Sequence, residues 1–258
     1  MKRSKKLLIA IAIVVAAMIA VAAVYLNDYY RASQMAQQCI TQPADGVEVT
    51  EPEKGITVFA PIEDPYAYEW NVFESDKKVG IIFYPGGKVE AESYAPLMSA
   101  LAERDILAVL VSMPGNLAVF DKDAAEGIQE MYPEIEEWYM AGHSLGGSMA
   151  ASYLAEAAED FEGLILLASY STEDLSGSGL NVLSVYGDQD GVLDMVKYKE
   201  YKSNLPADMT EYIIEGGCHA YFGDYGPQEG DGEPVKTVAD QIYETADIIQ
   251  IFIFDYSV

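Results

Sequence analysis

The chain has 258 residues, is 50% hydrophobic and carries a formal net charge of −27. That length supports one sizeable α/β domain with a short appendage. The charge repels nucleic acid and anionic lipid headgroups, which excludes nucleic-acid binding, and it suits a domain kept soluble outside the cell.

Lys2, Arg3, Lys5 and Lys6 precede an uncharged apolar run from Leu7 to Leu26. Twenty helical residues rise about 30 Å, the thickness of a bilayer core. The pattern predicts a basic cytoplasmic flank at 1–6 and a single-pass transmembrane signal anchor at 7–26, with the rest of the chain extracytoplasmic. Cleavage near Ala20-Val21-Ala22, giving a secreted protein, is the alternative, but the run exceeds an ordinary signal core of about 7–15 residues. Residues 27–45 read as a polar stem or linker, and 46–258 as the functional domain. Cys39 and Cys218 are the only cysteines, and two free or buried thiols are expected rather than a disulfide. No metal-ligand spacing occurs, so no metal is expected.

Val47–Thr50 and Ile56–Phe59 predict a hairpin around Glu-Pro-Glu-Lys-Gly. Strand and helix patterns then alternate. Apolar runs predict buried strands at Val79–Tyr84, Ile106–Val111, Glu137–Ala141, Gly163–Ala168, Val182–Tyr186 and Glu211–Ile214. Helices are predicted at Ala91–Glu103, Asp121–Met131, Leu145–Glu159, Leu193–Ser203 and Val238–Phe254. Such alternation gives an α/β class with a mostly parallel sheet flanked by helices. Sites form at the carboxyl ends of its strands, and Ser144, Gly86-Gly87, Asp190 and His219 all follow strands. No spacer is long enough for an inserted cap domain.

The chemistry centres on Gly142-His143-Ser144-Leu145-Gly146, which lies between a strand and a helix. A G-x-S-x-G sequence there makes a sharp turn that exposes the serine hydroxyl as a nucleophile. A serine at neutral pH needs a base. The chain has two histidines, and His143, adjacent to Ser144, should point away from its hydroxyl, which leaves His219. The acid that orients it is sought in Gly187-Asp188-Gln189-Asp190. Asp190 is preferred because it lies further from the strand end, with Asp188 read as a turn residue. Acyl transfer also needs backbone N–H donors for the developing oxyanion. One is Leu145; the other is Gly87, with Lys88 as the alternative. The Lys88 ammonium is a candidate for a substrate carboxylate or for simple solvent exposure. Tyr221 and Phe222 are candidates to line the substrate pocket or to pack beneath the His loop. Met113-Pro114 is a candidate for the rim.

These stretches, with Phe83-Tyr84-Pro85-Gly86-Gly87-Lys88 and Gly217-Cys218-His219-Ala220, resemble the α/β-hydrolase superfamily. The similarity is greatest to its small, lidless dienelactone-hydrolase-like and carboxylesterase-like branch. The resemblance implies an α/β-hydrolase fold over residues 78 to 255, a Ser144–Asp190–His219 triad, and an oxyanion hole from Leu145 and Gly87. Pro85-Gly86 replaces the usual His-Gly of the oxyanion loop, and Ser144 stands where dienelactone hydrolases use cysteine. The expected activity is hydrolysis of a small-molecule or cell-envelope ester, without cofactor. Acyl transfer, thioester cleavage and amide cleavage are alternatives with the same triad. A non-catalytic, surface-tethered binding module is a third.

Overall fold

The computed structural model describes residues 11–18, 20–21, 24–25, 28–62 and 77–254. The basic flank at 1–6 and much of the expected span lie outside the described residues. No helix among the described residues is long and apolar enough to cross a membrane.

Eight strands form one sheet: β1 (Val47–Glu53), β2 (Ile56–Pro61), β3 (Val79–Tyr84), β4 (Ile106–Val111), β5 (Glu137–His143), β6 (Gly163–Leu167), β7 (Asn181–Gly187) and β8 (Thr210–Ile214). Their spatial order is β1-β2-β4-β3-β5-β6-β7-β8. The β1–β2 hairpin joins β4 antiparallel, and every pairing from β4 to β8 is parallel. Strands β3 and β4 are buried at every position, as apolar strands covered on both faces must be. Their side chains alternate between two cores. Ile81 and Phe83 face one layer, with α2 (Ala95–Ala102) and α5 (Val238–Phe254). Ile82 and Tyr84 face the other, with α3 (Leu145–Ala157). A further helix, α4 (Met195–Tyr201), follows β7.

Strand β8, at the end of the sheet, is exposed from Thr210 to Ile213 rather than buried on both faces, because among the described residues no further strand or helix covers it there. Two further expectations differ from what is observed. Residues 121–131 form turns and an isolated 3₁₀ turn at Gln129–Met131 rather than a helix. The Tyr84 hydroxyl accepts from Ala125 N and donates to Lys122 O, both at 2.8 Å, taking backbone groups that a helix would use. Gly127, at φ +81°, adopts a left-handed conformation incompatible with continuing one. The second difference is the stem. Residues 34–41 form helix α1 (Gln34–Thr41), capped by Ser33. Ala36 is fully buried, and Cys39 and Ile40 pack on the core. The spacing i, i+3, i+4 puts these three on one helical face, which a glutamine-rich composition conceals.

Candidate active site

Ser144 sits between β5 and α3 at φ 51°, ψ −121°. A non-glycine residue held there stores about 1–3 kcal/mol of strain, which surrounding contacts must offset. Its N–H donates to Leu167 O at 2.9 Å, and its carbonyl accepts from Ser169 Oγ at 2.6 Å. The turn also needs Gly146. A Cβ there would lie 2.2 Å from Tyr84 O and 2.3 Å from Pro85 O. The end of β3 and the start of α3 therefore touch backbone to backbone, and Ser144 is left half-buried at the sheet edge.

Asp190 and His219, the candidate acid and base, meet at the neighbouring strand ends. His219 Nδ1 lies 2.9 Å from Asp190 Oδ2, with both side chains only 1% exposed. Asp190 Oδ1 accepts from Val192 N and Leu193 N, each at 2.8 Å. A carboxylate so placed accepts a hydrogen bond from Nδ1–H, which keeps the proton on Nδ1 and leaves Nε2 with its lone pair free. Nε2 is buried and has no hydrogen-bond partner. Asp188 does serve as a turn residue, its Oδ1 accepting from Gly216 N at 2.7 Å.

Three residues that sequence reasoning did not single out hold this half in place. Asp231 Oδ1 accepts from Gly191 N at 3.1 Å, His219 N at 3.1 Å and Gly232 N at 2.9 Å, and its Oδ2 accepts from Ala220 N at 2.8 Å. Burial alone would raise its pKa, but the four backbone donors outweigh that and hold the carboxyl below its usual range. One carboxylate thus ties the acid loop to the base loop. Gln241, buried in α5, accepts from Cys218 N at 3.0 Å and donates to Cys218 O at 2.8 Å. Tyr94 accepts from Gly86 N at 3.0 Å, and its hydroxyl lies 2.7 Å from His143 Nδ1. With Gly86 N–H donating to that oxygen, the phenol proton goes to Nδ1, which assigns the His143 proton to Nε2. Burial drives the His143 pKa well below its ordinary value, with the nearby His219 a lesser cause, so the ring is neutral. Its ring centre is 4.5 Å from that of His219. A buried Tyr94–His143 pair therefore spans the space between the oxyanion loop and the base. The signals for these roles were weak: a lone Asp in a Gly/Asp-rich loop, and a Gln and a Tyr inside helical patterns.

Gly87 and Leu145 lie side by side: a Cβ on Gly87 would be 2.8 Å from Leu145 Cδ2. Lys88 N donates to Asn116 O at 2.7 Å, which removes it as the alternative oxyanion donor. The Lys88 ammonium is 3.0 Å from Asp28 Oδ2 and 4.1 Å from the centre of the Tyr25 ring, so the N-terminal segment engages it instead of leaving it free for a substrate. Phe222 is fully buried, with its ring centre 5.5 Å from that of His143, and packs against that ring. Tyr221 is half-buried against the core. Met113 is buried and Pro114 exposed, on the segment whose Asn116 carbonyl holds Lys88. Cys39 and Cys218 are free, and burial, aided by the nearby Asp231 charge, pushes the Cys218 thiol up to about 12. Among the described residues no His, Cys, Asp and Glu cluster could hold a metal ion.

The profile of the Alpha/beta hydrolase family matches residues 80–243, from β3 into α5. The chain belongs to the α/β-hydrolase family. This membership makes it a hydrolase by class. Solved structures share the fold at low identity. Carboxyl esterase 2 from Tuber melanosporum aligns with a TM-score of 0.58 and 11% identity, over 88% of this chain and 90% of its own. A CIB-like hydrolase from Thermoplasma acidophilum gives 0.54 and 17%, over 80% and 99%. A membrane phospholipase A, described as a bacterial virulence factor, gives 0.57 and 13%, over 100% of both chains. A search of curated proteins found no match.

Proposed function

We propose that this α/β-hydrolase cleaves carboxylic esters through an acyl-enzyme, with Ser144 as nucleophile, His219 as base and Asp190 as its orienting acid. The observation that carries the reading is the pairing of His219 Nδ1 with a buried, doubly bonded Asp190, which leaves Nε2 basic and unpartnered. As Ser144 Oγ bonds to the substrate carbonyl carbon, its proton passes to His219 Nε2. The carbonyl oxygen becomes an oxyanion, stabilised by the Leu145 and Gly87 N–H groups. Collapse of the tetrahedral species breaks the C–O bond, and the departing alkoxide takes the proton from His219. Water then attacks the acyl carbon, giving one proton to Nε2; collapse of this second tetrahedral species breaks the Ser144 Oγ–carbon bond, Oγ takes the proton back from His219, and the carboxylic acid leaves. No cofactor takes part.

The chain is further proposed to be held in a membrane by residues 7–26, with the domain extracytoplasmic. The described residues between 11 and 25 are helical, and their side chains are exposed. This suits a segment whose neighbours are lipid. Retention in the membrane fraction after high-salt and carbonate washing tests the anchor, and release into the medium would mark a cleaved, secreted form instead.

Short-acyl p-nitrophenyl esters test the chemistry. Steady release of nitrophenol, lost in Ser144→Ala, is expected. No turnover by folded wild-type protein would overturn the ester reading.

A further inference from the structure

We infer that the catalytic cleft opens onto the bilayer that holds the N-terminal helix, and that its substrate is an amphiphilic glycerolipid-type ester resident in that bilayer. The inference rests on the ester-hydrolase and anchor readings above.

Residues 28–33 are not a free tether. Tyr30 N donates to Lys88 O at 2.8 Å, and Glu90 N donates to Tyr30 O at 2.9 Å. This short parallel bridge between Tyr30 and Val89 fastens the segment directly behind the Gly86-Gly87 turn. The same segment is fastened to the loop that follows His219. Glu229 N donates to the Tyr30 hydroxyl at 3.1 Å, and the Tyr30 and Tyr225 rings are 5.5 Å apart. Ser33 N donates to Asp224 O at 2.9 Å, and the Ser33 hydroxyl donates to the Asp224 carboxylate. One stretch of chain is thus stitched to the loops on both sides of the nucleophile.

The apolar helix ends just before this stretch begins. The Tyr25 ring lies 4.1 Å from the Lys88 ammonium, and Lys88 directly follows the oxyanion glycine. From Leu26 to Tyr30 is four residues, a reach of at most about 14 Å. If Leu26 ends the membrane span, Tyr30, bonded to the segment that follows the Gly86-Gly87 turn, lies within that distance of the bilayer surface. Every described side chain of the helix from Ile11 to Tyr25 is exposed, Val21 at 69% and Val24 at 71%, with Tyr25 alone among them reaching the domain through Lys88. The helix is apolar on all sides rather than along one stripe, which fits a surrounding hydrocarbon and not a groove on a protein.

A cleft held at this height meets lipid esters at a high effective concentration. The charge of −27 disfavours anionic headgroups, so the expected substrates are uncharged or zwitterionic. The Lys88 ammonium, paired with Asp28, does not offset that preference.

The full-length chain in phosphatidylcholine vesicles tests this. Two self-quenched substrates, a phosphatidylcholine and a diacylglycerol, are placed either in the protein's own vesicles or in separate ones. p-Nitrophenyl butyrate in solution serves as reference. The expected result is turnover of at least one lipid, at least about tenfold faster in the shared vesicle than in the separate one, as an effective-concentration gain allows. The double variant Tyr25→Ala, Asp28→Ala should lose at least about half of that advantage, since its contacts no longer fix the cleft's height, with p-nitrophenyl butyrate turnover unchanged. Equal rates in shared and separate vesicles, or butyrate turnover without lipid turnover, would overturn the inference and leave the ester-hydrolase reading standing. Absence of turnover on all three substrates would instead bring down that reading.

Discussion

Ser144 and the Gly86-Gly87 turn are held where adjoining elements meet, by main-chain packing and by the nearby Ser169 and Tyr94 hydroxyls, whereas the loops of His219 and Asp190 are also fastened by a carboxylate distant in sequence, Asp231. In the first half the nucleophile's N–H and carbonyl are bonded at the end of β6, and α3 meets the end of β3 backbone to backbone at Gly146. In the second half a single carboxylate, Asp231, gathers N–H groups from both the acid loop and the base loop. The nucleophile side tolerates few side-chain changes because a Cβ has no room. The base side is as tight, a Cβ on Gly187 lying 2.1 Å from Gly217 O and one on Gly232 2.0 Å from Gln189 O, but it depends in addition on a particular carboxylate, Asp231. The two halves should therefore fail in different ways.

The largest effect is expected at the acid. Asp190→Asn keeps the size but favours the wrong His219 tautomer. kcat should fall by about 10⁴-fold with little change in KM, as loss of an orienting aspartate gives. Stopped-flow with a p-nitrophenyl ester checks this, and a drop below tenfold would assign the acid role elsewhere. Asp231→Ala removes four acceptor contacts without touching the reacting groups. kcat/KM should fall about 10- to 100-fold, and stability by about 2–4 kcal/mol in urea unfolding, given charge-assisted bonds of about 1.5–3 kcal/mol each. Loosening of the base loop should also slow labelling of Ser144 by fluorophosphonate, an effect that a merely global loss of stability would not give below the unfolding midpoint.

Tyr94→Phe probes the link between the halves. It leaves Gly86 N–H and His143 Nδ1 buried without their partner, a cost of about 1–3 kcal/mol. kcat should fall several-fold through displacement of the oxyanion loop, with KM little changed.

The smallest effect is on pH dependence. The folded His143 pKa lies well below its ordinary 6.5, so the unfolded chain binds this proton first as pH falls. Its stabilising contribution is present in full above 6.5 and is lost as pH falls toward the folded pKa, by up to about 1.4 kcal/mol per pH unit. Urea titrations between pH 7.5 and 5.5 should show this slope. His143→Asn, whose amide can still accept from Tyr94, should lack it.

The same contrast explains what could be read from the chain. Strands β3 to β7 announce themselves as short apolar runs, and the elbow as glycines flanking Ser144, because both depend on residues adjacent in sequence. The pairing of Asp190 with His219 was legible because each follows the end of its own strand, where loops of a parallel sheet gather. The Asp231 anchor was not, since its meaning arises only when residues 190–191 and 219–220 converge on it. Helix α1 hid its apolar face of Ala36, Cys39 and Ile40 among glutamines. Residues 121–131 have a helical pattern, but the Tyr84 hydroxyl, a tertiary partner, takes their backbone groups.

The central claim is that Ser144 is activated by His219. Fluorophosphonate labelling of the full-length protein, read by intact mass beside Ser144→Ala and His219→Ala, tests it most directly. The account predicts one adduct per wild-type chain, none in Ser144→Ala and labelling slowed at least about 10³-fold in His219→Ala, as loss of the base entails. A folded wild-type protein that takes no adduct, or one that labels equally well without His219, would contradict it.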